Sequence, residues 1–511
     1  MHDQIAKMYL ARYGKALSHR QLFESLFDEC YEYALPQREG FTKMSAGQRR
    51  DDKIFDETAV VGVQEFASRL QNGICPNFSR WADFLSGSEV DKSQREEIDN
   101  QLDEVTEYVF EVLQQSNFGQ EAHESFLDLA VGTGCLLVEE GDAINPVMFN
   151  AVPLPQIVLE NGADDRIDHV YRERELRCKD IPIAYPKAVL SPKMMEKMQR
   201  SPDNKVKILE VVCRLYDKPN VERNGFYVIE KEAQELIYQD IFTGVGSNPF
   251  IPFRWSKAAG EVYGRGPLVN SLSAIKTTNL TIELILENAQ MAISGIYQMD
   301  DDGVINTDSI NLVPGTIIPK SPNSNGLQPI RAAGSFDVAN LILSDMRNNI
   351  KRALYNDMLG DPNRTPATAT EVAERMADLS RRIGSAFGRL QAEFIQPVLQ
   401  RVVYILKKQG RIDIPTLNGR EVKVRSVSPL AQAQANQDIA SVDRFLEMVG
   451  GRFGAEMVNL LVSSEEAAAF LAKKFGVPDT LIRDAAEREQ LAEAMAQQAQ
   501  MQQQGMPPPE G

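Results

Sequence analysis

Apolar residues recur three and four positions apart through KALSHRQLFESLFDECYEYALP and DDKIFDETAVVGVQEFASRLQNGI, a spacing that gathers them on one side of a helix. Residues 1–120 therefore read as mainly helical, with Pro36 and Pro76 as punctuation. The period shortens between about 125 and 255. Runs such as GCLLVEE, KILEVVCRLYD, GFYVIE and QELIYQD, separated by Gly, Pro and Asn, predict strands in a mixed α and β region.

Helix returns at VYGRGPLVNSLSAIKTTNLTIELILENAQMAI, where Gly266 and Pro267 stand at a favourable helix start, because proline at the first helical position loses no hydrogen bond. The segment 295–334 holds short apolar pairs among many Gly, Pro and Asn residues and predicts a small β-rich insertion. SFDVANLILSDMRNNIKRALY predicts a second helix. A polar loop, GDPNRTPATA, then leads into a longer one whose apolar positions include Met376, Leu379, Ile383, Phe387, Leu390, Phe394, Val398, Val402 and Ile405.

Thr368 and Glu371 have capping-box spacing, so this helix is expected to start sharply there, and Pro397 is expected to kink it without ending it. A rod running to Gly410 would be ~60 Å long, about twice the width of a small domain. Such a length implies an elongated protomer or an assembly. Beyond it, GRIDIPTLNGREVKVRSVS predicts a β-hairpin turning at Asn418-Gly419. The remainder reads as helical, with a Ser463/Glu466 capping box, and the tail AMAQQAQMQQQGMPPPEG is too poor in large apolar groups to bury a core.

Composition narrows the function. With 511 residues, 43% hydrophobic and 25% charged, the chain reads as an ordinary globular protein of about three domains' length. Five widely spaced cysteines suggest neither a disulfide framework nor a zinc site, and fit a reducing compartment. The N-terminal MHDQIAKMYLARYGKALSHR lacks the uninterrupted apolar core of a signal peptide, and the most apolar later run, LTIELILENAQMAISGIY, is interrupted by Glu283 and Glu287, so neither a signal peptide nor a membrane span is expected. A formal charge of −17 argues against gripping nucleic acid by broad attraction, yet leaves room for a surface along which DNA slides.

Catalytic motifs are sparse. There is no GxxxxGK[ST], HExxH or GxSxG, and the fragments GTG at Gly132–Gly134 and GRG at Gly264–Gly266 read as strand-end turns. Asp413, Glu421 and Lys423 fall in the D…ExK order of magnesium nucleases, although solvated hairpin charges account for the same letters. DDDGVINTD from Asp300 lacks the spacing and terminal glutamate of a calcium loop. No cofactor or metal is expected.

Four strings in order, VYGRGPLVNSLSAIKTTN, PATATEV, VSPLAQAQ and FGVPDTLIRDAAEREQ, resemble segments of the portal proteins, or head-to-tail connectors, of short-tailed, podovirus-type bacteriophages. The resemblance spans most of the chain and implies an α+β, mainly α, protomer that assembles as a ring, usually of twelve copies. It divides the chain into a wing (1–265), a stem helix (266–294), a clip (295–334), a second stem helix (335–355) and a tunnel loop (356–368). After these come a kinked wing helix with the hairpin (369–429), crown helices (430–494) and a disordered tail (495–511).

By the same resemblance, double-stranded DNA is packaged and ejected through the ring at one capsid vertex. Asn356, Asn363, Arg364, Thr365 and Thr368 would line the channel as a loop, and Arg347, Lys351 and Arg352 would face the lumen from the stem. The implied partners are copies of the chain itself, a terminase packaging motor, major capsid and scaffolding proteins, a tail adaptor and internal ejection proteins. The implied location is the virion, after assembly in the host cytoplasm. A tail adaptor, or a magnesium-dependent nuclease at the hairpin, are the alternatives.

Overall fold

The computed structural model describes residues 2–43, 51–90, 95–218, 221–294, 297–298, 328–329, 336–356, 382–453, 461–463 and 467–468. The chain divides into two compact units, Met1–Thr368 with Arg382–Ser426, and Ala369–Arg381 with Val427–Gly511.

Helix α1 (His2–Ala34) is laid on one face of an antiparallel five-stranded sheet of order β4-β5-β6-β7-β8, formed by Ile157–Asn161, Ile167–Arg177, Lys205–Arg214, Arg223–Glu230 and Glu235–Thr243. The period-2 alternation of the strands explains the layering. Leu209, Val211, Cys213, Tyr227 and Ile229 meet Tyr9 and Tyr13 of α1, whereas Val206, Ile208 and Val228 face a lobe containing two short helices, α5 (Ile181–Ala184) and α6 (Pro192–Arg200). The hydroxyl of Tyr13 donates to Glu173 at 2.7 Å, which satisfies the polar end of a ring buried for its apolar face.

Three of these strands, β6, β7 and β8, answer to the apolar runs of the sequence, but β4 and β5 do not. The IDHVYRERELR of β5 carries Arg172 and Arg174, which enter the sheet because both reach the buried Glu210 of β6, at 3.6 and 2.9 Å. A three-stranded sheet, β3-β2-β9, is built from Val147–Ala151, Thr133–Glu140 and Phe250–Arg254. Helices α2 (Thr58–Ile74) and α4 (Phe118–Val131) pack together, and α3 (Arg95–Gln115) covers β1 (Ala82–Ser86).

One expectation needs correction. Residues 411–417 form no strand, so there is no hairpin at Asn418-Gly419; the tight turn is present, with Gly419 at φ +79°, but β12 (Val422–Ser426) pairs antiparallel with β1 instead. The fully buried β1, read as part of a helical region, supplies an apolar partner that residues 411–417 cannot match, and Arg425 closes the pair by reaching Asp83 at 2.5 Å. The long helix is disturbed beside Pro397 without being ended by it, as expected, and the irregularity lies just before the proline. Residues 382–390 are α-helical, Gln391–Ile395 form a π turn, and Gln396–Lys408 resume the α-helix. A proline ring clashes with the carbonyl four residues back, here Glu393, and the wider turn relieves that crowding.

In the second unit the helix Pro429–Phe453 starts as proline position and cap dictate: Ser428 Oγ accepts from the Ala431 amide at 3.3 Å, and Pro429 occupies the first turn. The strands β10 (Tyr297–Gln298) and β11 (Gln328–Pro329) form an antiparallel ladder between the helices α7 (Pro267–Ser294) and α8 (Phe336–Ala353). Among the described residues no helix is long and apolar enough to cross a membrane.

Candidate functional site

The two helices α7 and α8 pack side by side, and glycines decide where the pair is rooted. A Cβ on Gly264 would lie 2.2 Å from the carbonyl oxygen of Gly132, and one on Gly266 would lie 2.1 Å from that of Ala130. The two glycine fragments of the sequence are thus one structure: their backbones touch, and only hydrogen side chains allow it. Gly264 N–H donates to Thr133 Oγ1 at 2.8 Å and Gly266 N–H to Val131 O at 2.9 Å, so the start of α7 is bolted to the end of α4.

Further along α7, Asn279 holds the segment before α2. Its Oδ1 accepts from the Phe55 amide at 2.7 Å, and its Nδ2 donates to Lys53 O at 2.7 Å. Asp56 in the same segment takes the guanidinium of Arg347 from α8 at 2.7 Å. Burial would raise the Asp56 carboxyl, but hydrogen bonds from Thr58 and Arg347 outweigh it and hold the group below its ordinary value.

Beyond Asn279 the character of α7 changes. Leu280, Leu284 and Leu286 are exposed, Leu284 to 55%, and on α8 Leu341 is exposed to 67% and Ile342 to 46%. Large apolar side chains left this exposed on both helices of one pair are unusual for a surface that stays in water. Glu287, Lys351 and Arg352 are exposed nearby in sequence on the same two helices.

The end of α8 is fixed by α2. Leu354 is fully buried, and Gly62 makes room for it, since a Cβ there would lie 2.7 Å from Leu354 Cδ1. Asn356 Nδ2 donates to Gly62 O at 2.7 Å, Arg69 Nη1 donates to Tyr355 O at 2.7 Å, and Tyr355 adopts φ +60° to place both. The Tyr355 ring sits 5.6 Å from Trp255, and its hydroxyl is pushed upward chiefly by burial, against the lowering field of Arg382.

Of the residues named from the sequence, Arg347 is engaged by Asp56, and Lys351 and Arg352 are exposed. Asn356 is 5% exposed and spent on α2; its inclusion among channel-facing side chains is corrected, because a side chain buried within the protomer cannot reach a lumen. Asn363, Arg364, Thr365, Thr368 and the capping box at Thr368 lie outside the described residues. So does the acidic run from Asp300. Sequence reasoning missed Gly62, Arg69 and Tyr355, and a lone glycine in a helix pattern was the one signal available.

The D…ExK letters do not converge on a site. Glu421 accepts from the Thr416 amide at 2.8 Å and braces the turn, while Lys423 stands opposite Leu85 in the β1–β12 ladder. Among the described residues no group of three His, Cys, Asp or Glu side chains could hold a metal ion.

An α/β body and a helix pair rooted in it through glycine contacts, with exposed leucines further along the pair, are the features the described residues present. The family model described as "Bacteriophage head to tail connecting protein" matches residues 6–482. The chain belongs to that family and is a head-to-tail connector. It is 22% identical over 472 residues to the probable portal protein of Bordetella phage BPP-1, covering 88% of this chain and 83% of the relative. It is 19% identical over 445 residues to the portal protein of Enterobacteria phage T3, covering 85% and 80% respectively. A chain from a solved structure titled "Virion of native gene transfer agent (GTA) particle" aligns at TM-score 0.36 and 12% identity, covering 85% of this chain and 97% of that one.

Proposed function

We propose that the protein is the portal of a bacteriophage virion, a closed ring of identical copies, twelve by family habit, whose α7 and α8 helices wall a passage for double-stranded DNA. The exposed apolar end of the helix pair carries this reading: Leu284, Leu286 and Leu341 need cover, and copies related by rotation cover one another without leaving an open end. The role is structural, with no catalytic residue and no cofactor.

In the ring the charge balance has a use. A chain of net charge −17 lets phosphate slide, and sparse cations such as Lys351 and Arg352 supply weak, sequence-independent contacts. The loop 357–368, mounted on the Leu354–Asn356 anchor, would project inward with Asn363, Arg364, Thr365 and Thr368. The insertion 295–334 would dock the terminase motor during packaging and the tail adaptor afterwards, while capsid, scaffolding and internal ejection proteins meet other faces. Assembly takes place in the host cytoplasm.

Size-exclusion chromatography with light scattering tests the ring. A mass many times 57.1 kDa is expected, collapsing towards the monomer in Leu284→Glu/Leu341→Glu. A monodisperse monomer of the wild type at micromolar concentration under several salts would sink the proposal. Arg364→Ala should leave the ring intact and alter retention of packaged DNA, and deletion of 300–328 should spoil motor docking more than folding.

A further inference from the structure

The α5–α6 lobe contradicts the charge of the chain that carries it. Residues 177–207 hold eight basic side chains against three acidic ones, in a protein of net charge −17. Some are paired locally, as Lys179 is with Asp203 at 2.6 Å and Arg200 with Glu196 at 2.8 Å. Lys187, Lys193 and Lys205 are exposed, and among the described residues none of the three has a carboxylate within ion-pair distance. Ile183 and Val189 are exposed to 77% and 79% beside them.

The lobe also borders an unfinished sheet edge. β8 ends the five-stranded sheet, and the chain at Val189 starts to pair with it, donating its N–H to Ile237 O at 2.8 Å, and then turns away into α6. A bulge at Ile237 sets the phase, and the alternation of an antiparallel ladder turns the backbone groups of Gln239, Ile241 and Thr243 away from β7. Of these, the Ile241 N–H is satisfied by the side chain of Asp240 at 2.8 Å. A groove of about 490 Å³ lies between Val189 and the start of β8, lined by Lys187, Leu190, Pro192, Leu236 and Tyr238 among others, and reaches the free edge at Gln239.

We propose that this edge is a docking site for an extended, acidic segment of a partner protein, which adds as a further strand along Gln239–Thr243. The main-chain groups of Gln239 and Thr243 and the Ile241 carbonyl offer hydrogen bonds in register, the groove takes an apolar side chain where it reaches Gln239, and Lys187 and Lys193 pair with neighbouring carboxylates. Natural edges are usually blocked by charge, proline or a covering element; here the cover extends only to Ile237. The surplus of unpaired lysines selects an acidic occupant, and the proposal stands apart from the stem and its ring.

The test uses the full chain and a short fluorescein-labelled peptide alternating glutamate with valine, read by fluorescence anisotropy. Gln239→Pro is the informative variant. Its lost N–H faces away from β7, so the sheet survives while the incoming strand is refused. The expected result is a loss of about tenfold in affinity, as for one or two missing backbone hydrogen bonds. Lys187→Glu/Lys193→Glu, at exposed positions, should lose about as much and keeps the test open if the proline variant fails to fold. Unchanged binding in either folded variant overturns the proposal. So does equal binding of a peptide of the same composition in shuffled order, which leaves only charge. A changed association state of Gln239→Pro with unaltered peptide binding would give the edge to a second copy instead, and would also overturn it.

Discussion

Glu393, in the π turn, holds Arg254 of β9 through both carboxylate oxygens: Oε1 accepts from Nη2 at 2.7 Å, and Oε2 from Nε at 3.1 Å and from the Arg254 amide at 3.0 Å. The pair ties the irregular turn to the three-stranded sheet. Arg254 is 4% exposed, and its remaining reach is to Val262 O, so no water can replace a lost partner cheaply. Arg254→Met should destabilise the fold, by less than the ~3–5 kcal/mol of a fully unpaired buried charge because Arg389 still reaches Glu393 at 3.4 Å, and Arg254→Met/Glu393→Met should recover part of that loss. Urea denaturation of both variants checks the order; a double variant less stable than the single would contradict it.

Glycines divide into those that carry the fold and those that do not. Gly264→Ala drives a methyl to 2.2 Å from Gly132 O, where backbone cannot give way, and should leave the protein insoluble or melted well below wild type. Gly388, in the helical stretch 382–390, has open space at its Cβ. Its change to Ala should stabilise by about 0.5–1 kcal/mol, since alanine loses less backbone freedom in a helix. Soluble yield and thermal melting of the two variants decide the point.

The Asp56–Arg347 pair should show in the acid limb of stability. Because the folded carboxyl is held below its ordinary value of 3.8, the pair's contribution is full above that pH and fades as pH falls through it towards the folded value. The melting-temperature gap between wild type and Arg347→Ala should therefore be widest at neutral pH and close in acid below 3.8. A gap independent of pH would show that Arg347 acts through packing alone.

The anchor of α8 makes a local prediction. Gly62→Ala pushes on Leu354 Cδ1 and Asn356 Nδ2, and Asn356→Ala leaves the Gly62 carbonyl without its donor. Hydrogen exchange at 354–356 should quicken in both, while exchange in the five-stranded sheet stays unchanged, because the anchor and the sheet share no side chain. Uniform quickening across the unit would remove the idea of a local anchor.

The sequence by itself determined the helices whose apolar positions keep a 3.6-residue period. α7 starts at Pro267 as read, because proline and its neighbours act within one turn. The strands β2, β6, β7 and β8 were legible too, as short apolar runs between turns. The order of four strings pointed to the connector family, which the family match over residues 6–482 bears out.

Tertiary structure alone decided the rest. β5 and β1 became strands through distant partners, Glu210 for the arginines of one and β12 for the other, so local pattern could not announce them. The Asn418-Gly419 turn was correctly local, but its pairing was not, since a strand chooses the partner that completes a buried face. Asn356 looks like a loop residue by type, and only its meeting with Gly62, far away in the chain, turns it into an anchor. Gly132 and Gly264 were visible as separate turns, and their contact was not, because close approach of two backbones is a property of the fold and leaves no period in the sequence.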